Sequence, residues 1–393
     1  MTNSKSNSTL ALVAVTVLLL AYLSWGQASS SKPLPQTKGP GKIIVHPKFG
    51  GTIFGFDIDQ NGSEGLLSES VIDGNNCPYA TETFDQATGK IIKVVSKGQS
   101  ASCADDEVTW GVAGSSVGLV EHQHSPSFDH LQMTFKTLNP LEQNQENGTW
   151  LPPLKKAAYI LGVSRNQGTP TNAYQVYDVN VGKVYVFGSD VAKNSFGPVM
   201  KIASNPGMIG LNTQNNVAVL AAEDASGTTE VIQADLTTGH VTSFLGVGTG
   251  SAMGLAVDPE DDMAAITTFL DASVSFYDLK NQTGFSEVLP GIPQNCDNAC
   301  TAADVEFDPV HKLFLVAQPI SSQCQGGCSF STIYVYDIHG DLLETLNGFD
   351  FTGAFFADVF NVHMALYPQN RRGFVDVIHA KEAGAGAIQS FTY

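Results

Sequence analysis

Asp304, Glu306 and His363 are the side chains best suited to chemistry. Two carboxylates spaced i, i+2 along an extended strand lie on one side of it. An imidazole beside them would complete a general acid and base, or part of a divalent-metal site. The alternative use is structural, with the same groups accepting backbone hydrogen bonds at a rim. A second cluster is Glu121-His122-Gln123-His124. His122 and His124 share one side of a strand, a spacing that suits zinc or copper, and His130 could add a third ligand. The alternative there is a solvated polar loop. Asp105-Asp106-Glu107 could attract a cation, or serve only as a solvated acidic run.

Other matches dissolve on inspection. Asp57-Ile-Asp59-Gln-Asn61-Gly62 imitates a calcium loop, but Ser68 stands where that loop needs Glu. The same punctuation recurs at Tyr177-Asp178-Val-Asn180-Val-Gly182 and Ala234-Asp235-Leu-Thr-Thr-Gly239, so a repeated turn accounts for it. Gly114-Ser-Ser116-Val-Gly118 has the letters of a hydrolase nucleophile elbow without the helix that must follow. The glycine-rich stretch 246–254 lies between strands, with no helix to present amides to phosphate.

The elements that position these residues are written as repeats. Met253-Gly254-Leu-Ala-Val-Asp258-Pro259 is echoed by Asp304-Val-Glu-Phe-Asp308-Pro309. Looser copies begin at His363 and at Thr83-Phe84-Asp85. Each reads as strand, polar turn, strand. A second hairpin follows, marked by Tyr177-Asp178, Tyr277-Asp278 and Tyr336-Asp337. Four strands per unit of about fifty residues predicts an all-β chain, a β-propeller. Seven blades fit the length, with six as the alternative. Residues 42–71 are expected to complete the C-terminal blade, so that strands from both termini close the ring. Equivalent first-strand positions are Thr81, Met208, Gly254, Asp304 and His363, which places Asp304 beside His363 at the channel mouth.

Residues 1–28 read as a signal peptide: Lys5, an apolar run Leu10–Leu23, then Gly26-Gln27-Ala28 before the cut. Residues 29–41 read as a flexible linker and 42–393 as the single propeller domain. The chain is thus expected to be secreted, with no membrane span after signal removal. Twenty Lys and Arg against 38 Asp and Glu give −18, and −19 once Lys5 is removed. That surface excludes nucleic acid and anionic membrane as partners. Sequons at Asn61, Asn147 and Asn281 are expected in turns or loops, as glycoprotein sites.

Six cysteines behind a signal peptide suggest disulfide bonds. Cys77 and Cys300 each precede a Phe-Asp pair by seven residues, so two blades look matched. Facing residues in a hairpin have a constant index sum. Nested bridges Cys300–Cys324 and Cys296–Cys328 satisfy it, with Cys77–Cys103 in the other blade. Local loops Cys296–Cys300 and Cys324–Cys328 remain open, as does metal binding by the Cys-x3-Cys pairs. The nested set would stiffen the face where propeller ligands bind.

The Gly254-Leu-Ala-Val-Asp258-Pro259 and Asp304-Val-Glu-Phe-Asp308-Pro309 repeats, with their Tyr-Asp strands, resemble NHL and YncE-type propellers. They are also similar to the gluconolactonase (senescence marker protein) and strictosidine-synthase-like propellers. The resemblance implies two possible functions. One is a binding protein that recognises a small molecule, a glycan or a protein. The other is a hydrolase or lyase with a divalent metal such as calcium in its channel. In the lactonase group an Asn precedes the Gly-Leu-Ala segment as a metal ligand; here Ala252-Met253 stands there.

Overall fold

The computed structural model describes residues 38–58, 63–70, 77–100, 118–124, 131–137, 145–150, 158–165, 171–178, 182–190, 195–203, 206–250, 252–268, 273–291, 304–318, 332–349, 363–378 and 386–393. Among them there is no α-helix; one short 3-10 turn, Pro368–Asn370, interrupts the strands.

β1 (Gly39–Val45) precedes a sheet of β2 (Thr52–Ile58), β3 (Glu64–Ser70), β4 (Cys77–Asp85) and β5 (Ile91–Ser100). β6 (Gly118–His124), β7 (Leu131–Thr137) and β8 (Gln145–Trp150) form a three-stranded sheet. Next come β9 (Ala158–Arg165), β10 (Thr171–Asp178) and β11 (Lys183–Asp190). The outer strand of that sheet is split into β12 (Ser195–Phe196) and β13 (Met200–Ile202). β14 (Pro206–Asn212), β15 (Val217–Glu223), β16 (Thr228–Asp235) and β17 (Val241–Thr249) form a regular four-stranded sheet. So do β18 (Ala252–Asp258), β19 (Met263–Thr268), β20 (Ser273–Asp278) and β21 (Thr283–Val288). β22 (Asp304–Asp308), β23 (Leu313–Gln318), β24 (Thr332–Asp337) and β25 (Leu342–Asn347) repeat the pattern. Finally β26 (Met364–Tyr367), β27 (Arg372–Ile378) and β28 (Gly386–Thr392) pair with β1 in the order β1-β28-β27-β26.

All pairings are antiparallel. Neighbouring sheets meet through their first strands. β9 packs on β14, β14 on β18, β18 on β22, β22 on β26, and β26 on β2. Sheets buried on both faces need apolar residues at nearly every position, as β23 shows with Leu313-Phe-Leu-Val-Ala-Gln318, buried throughout. Aromatic rings lock adjacent sheets edge to face: Phe276 against Phe314 at 5.9 Å and Phe84 against Phe374 at 6.0 Å. Each such ring, fully buried, contributes about 1.5–3 kcal/mol.

The turns explain the repeats. Asp85, Asp235, Asp278 and Asp337 each end a third strand and accept backbone N–H groups of the turn that follows. This is Asx-turn chemistry, local and readable in sequence. Between first and second strands, Asn216, Asp262, Lys312 and Arg371 take φ of 54°, 52°, 57° and 52°.

Several sequence expectations change. Thr81 and Asp85 belong to β4, a third strand, so Thr81 is not equivalent to Gly254 or Asp304. The reason is that Asp-led turns serve both hairpins of a unit, and local pattern cannot tell them apart. Tyr177-Asp178 ends β10, a second strand, whereas Tyr277 and Tyr336 lie on third strands. Of the segment 42–71, only β1 joins the C-terminal sheet; β2 and β3 start their own. β1 also begins at Gly39, inside the stretch read as linker. Asn147 lies within β8, facing Phe135, and not in a turn. Asn281 does occupy an exposed turn, and Asn61 lies outside the described residues.

Candidate functional site

Two neighbouring first strands, β22 and β26, bring Asp304 against the His363-Met364 backbone. One carboxylate oxygen of Asp304 accepts the Met364 N–H at 2.6 Å, and the other accepts its neighbour Val305 N–H at 2.8 Å. Asp304 is buried, while Glu306, two residues along the same side, is half-buried. His363 immediately precedes β26. Its backbone N–H donates to Asp376 Oδ1 at 2.8 Å, and the Asp376 N–H returns to the His363 carbonyl at 3.1 Å.

Asp376 is the member the sequence did not reveal. It lies on β27, 13 residues from His363, in a segment with no motif. Burial pushes its carboxyl well above the ordinary range; the His363 N–H pulls the other way, and the nearby Asp304 charge adds to the rise. Two carboxyls in one buried place, one of them favouring its proton, have the electronic makings of an acid–base pair. Asp304 and Asp376, however, accept main-chain N–H groups here, those of Val305, Met364 and His363.

The histidine cluster lies on another sheet. His122 and His124 occupy alternate positions of β6, opposite Met133 and Leu131. His130 and Asp105-Asp106-Glu107 lie outside the described residues, as do the side chains of β6. Among the described residues no three His, Cys, Asp or Glu side chains gather as a metal site. Gly118 opens the strand β6 and not a helix, so Gly114–Gly118 is no nucleophile elbow.

Cys103, Cys296, Cys300, Cys324 and Cys328 lie outside the described residues, and the predicted bridges with them. Cys77 starts β4, facing Ser100. It therefore sits on a third strand, whereas Cys300 precedes the first strand β22. The match of Cys77 to Cys300 as a residue preceding a first strand therefore does not hold, and the bridges themselves lie outside the described residues.

A second acidic pair went unread. Glu69 on β3 accepts N–H groups of Phe49 and Gly51 at 2.9 and 2.8 Å, and Glu82 on β4 accepts that of Lys48 at 2.9 Å. Burial raises both carboxyls, and the Glu69 charge adds to the rise in Glu82. Together they hold the segment that leads from β1 into β2, where the chain leaves the C-terminal sheet. No periodicity marks them, because each is a polar residue at a core position.

Polar clamps link the sheets at the turns between first and second strands. Asn212 Nδ2 donates to Asp262 at 2.7 Å. Lys312 Nζ reaches Asp258, Glu260 and Asp261 at 3.0, 2.7 and 3.1 Å. Burial pulls its ammonium down, but hydrogen bonds to Glu260, Asp258 and Asp261 hold it above its ordinary value. Tyr393, just past β28, donates to Asp308 Oδ2 at 2.8 Å. Arg372 donates to the Gln86 carbonyl and lies over the Phe374 ring at 4.7 Å. The left-handed turn residues Asp262 and Lys312 thus aim their side chains at the neighbouring sheet.

No protein-family model matches this sequence, and no curated protein does. Among solved structures, a chain from the crystal structure of the mitotic checkpoint complex aligns with a TM-score of 0.57 at 11% identity. The match covers 93% of this chain and 95% of that one. At that identity the likeness establishes the fold alone: antiparallel sheets packed side by side as in a β-propeller.

Proposed function

We propose that the protein is a secreted, non-enzymatic β-propeller that binds a protein partner. One observation carries the reading: Asp304 and Asp376 receive the N–H groups of Met364 and His363. Asp304 thereby ties β26 to β22 of the adjacent sheet, and Asp376 ties the start of β26 to β27 of its own sheet. The likeness to a chain of a multi-protein complex supports a protein as the ligand, ahead of a small molecule or glycan.

The proposal extends to a closed ring of seven blades of the NHL or YncE-like kind. Seven sheets among the described residues support it, six of them packed in order through their first strands, with the β6–β8 sheet falling between the ends of that series in chain order. Pairing of β1 with β28 supports closure by both termini. Secretion, signal removal at residue 28, disulfide bonds and glycans at the sequons are supported by the sequence. Among the described residues no helix is long and apolar enough to cross a membrane.

The competing reading is a hydrolase or lyase using Asp304, Glu306 and His363, alone or with calcium. It is favoured by the buried Asp376 carboxyl beside His363, raised by burial and by the nearby Asp304 charge. Purified protein from a eukaryotic secretory host should be assayed on gluconolactone and an aryl ester, with and without calcium. We expect no turnover above buffer and a melting temperature unmoved by chelator. We also expect crosslinking in the native secretions to capture a protein that excess unlabelled chain displaces. Turnover abolished by Glu306→Gln would overturn the binding reading.

A further inference from the structure

The outer strands of the sheets are not alike. β17, Val241–Thr249, ends its sheet, and among the described residues nothing pairs with its outer edge. Its even face is seated: Phe244 meets Tyr277 edge to face at 6.2 Å, and the Val247 and Gly248 N–H groups donate to the Tyr277 hydroxyl. Gly246 and Gly248 are needed there, since a Cβ on Gly246 would lie 2.6 Å from that hydroxyl.

The odd face is open. Val241, Leu245 and Val247 are 36%, 65% and 50% exposed. The adjacent sheet covers little of it, because its outer strand is reduced to β12 and β13, two and three residues long. Their contacts reach the turn at Leu236 and Gly239, where Gly197 and Pro198 abut it. Edge strands are ordinarily protected by Lys, Pro or brevity. β17 is nine residues long and has no Lys, Arg or Pro.

The surroundings are acidic. Glu230 faces Leu245 across the ladder and accepts the Ser243 hydroxyl at 2.6 Å. Glu223 ends β15 and Asp224 opens the turn beside the Thr249 end, where Thr228 faces Thr249. A second copy of this chain, itself at −18, would bring like charges together at the seam.

Resting on the binding-scaffold reading above, we propose that β17 is a docking strand. Its partner is an extended segment of another protein whose ledge-facing side carries apolar residues with one Lys or Arg among them, placed to reach Glu230. Main-chain bonds to the β17 edge supply affinity; the Val241-Leu245-Val247 ledge and Glu230 supply selection.

The probe is a nine-residue peptide with serine on one face and, on the ledge-facing side, valines flanking one lysine, blocked at both ends and fluorescently labelled. Anisotropy titration with the full chain should saturate, and the double variant Leu245→Lys/Val247→Lys should weaken binding about tenfold or more. Both changes are at exposed positions, and an unchanged melting curve confirms folding. Leu343→Lys, on the exposed β25 edge, should leave binding intact. Absence of binding overturns the proposal, as does equal loss with Leu343→Lys or equal binding of the glutamate version of the peptide. A dimer in sedimentation that dissolves in Leu245→Lys also overturns it, in favour of a second copy as occupant. If the captured native partner binds the double variant as tightly as wild type, the docking strand is wrong while the scaffold reading stands.

Discussion

Asp304 on β22 and Met364 on β26 are joined by a carboxylate-to-amide hydrogen bond of 2.6 Å, across 60 residues of sequence. It ties the first strands of two adjacent sheets. Asp304→Ala removes the acceptor and leaves a buried N–H unsatisfied, which costs about 1–3 kcal/mol. Asp304→Asn keeps an acceptor oxygen and should lose less than half as much. Urea unfolding midpoints at constant m-value rank the two. Equal stability of wild type and Asp304→Ala would remove the structural role on which the binding reading depends.

Asp376 should make stability depend on pH. Its carboxyl holds a proton more tightly folded than unfolded, because burial disfavours the charge and Asp304 adds repulsion. The sign follows: the contribution is fully present below the unfolded value of about 3.9 and is lost as pH rises through the raised folded value. Glu69 and Glu82 act with the same sign. Asp376→Asn, a permanent neutral mimic, should flatten this limb by Asp376's share. Melting temperatures from pH 4 to 8 for both proteins test it, and parallel curves would refute it.

Tyr393 pins the end of the C-terminal sheet to the neighbouring one. Its hydroxyl meets the fully buried Asp308 carboxylate, which also accepts the His311 backbone and ring N–H groups. Tyr393→Phe should cost about 1 kcal/mol, since Asp308 keeps other donors. Removal of the residue should cost a further ~1.5–3 kcal/mol from lost burial against Phe391. Chemical denaturation of the two variants separates these contributions.

Gly254 lies where β18 packs closely against β22. A Cβ there would stand 2.7 Å from Asp304 Cα and from Val305 N. Backbone cannot yield as a side-chain tip can, so Gly254→Ala should destabilise by about 1–3 kcal/mol or more. Because the displaced atoms belong to Asp304, the Asp304→Ala and Gly254→Ala penalties should be less than additive in the double variant.

Strand–turn–strand units, the Asp-led turns at Asp235, Asp278 and Asp337, and the first strands at Gly254, Asp304 and Met364 were all legible without coordinates. Each is decided within a few residues, by turn chemistry and alternation. The repeated Asp turn also misled, since Asp85 looks like Asp308 and belongs to a different hairpin. Asp376, Glu69 and Glu82 were illegible because nothing local marks a carboxylate that will be buried against a distant backbone amide.

Sequence alone therefore determined that strand–turn–strand hairpins form and where most of their turns fall, since a turn forms from neighbours and carries its own signature. Tertiary structure alone decided which sheet takes β1, which acids meet His363, and which outer strand is left bare. Those outcomes depend on sheets brought together over tens to hundreds of residues, where packing and desolvation, rather than any local propensity, choose the partner.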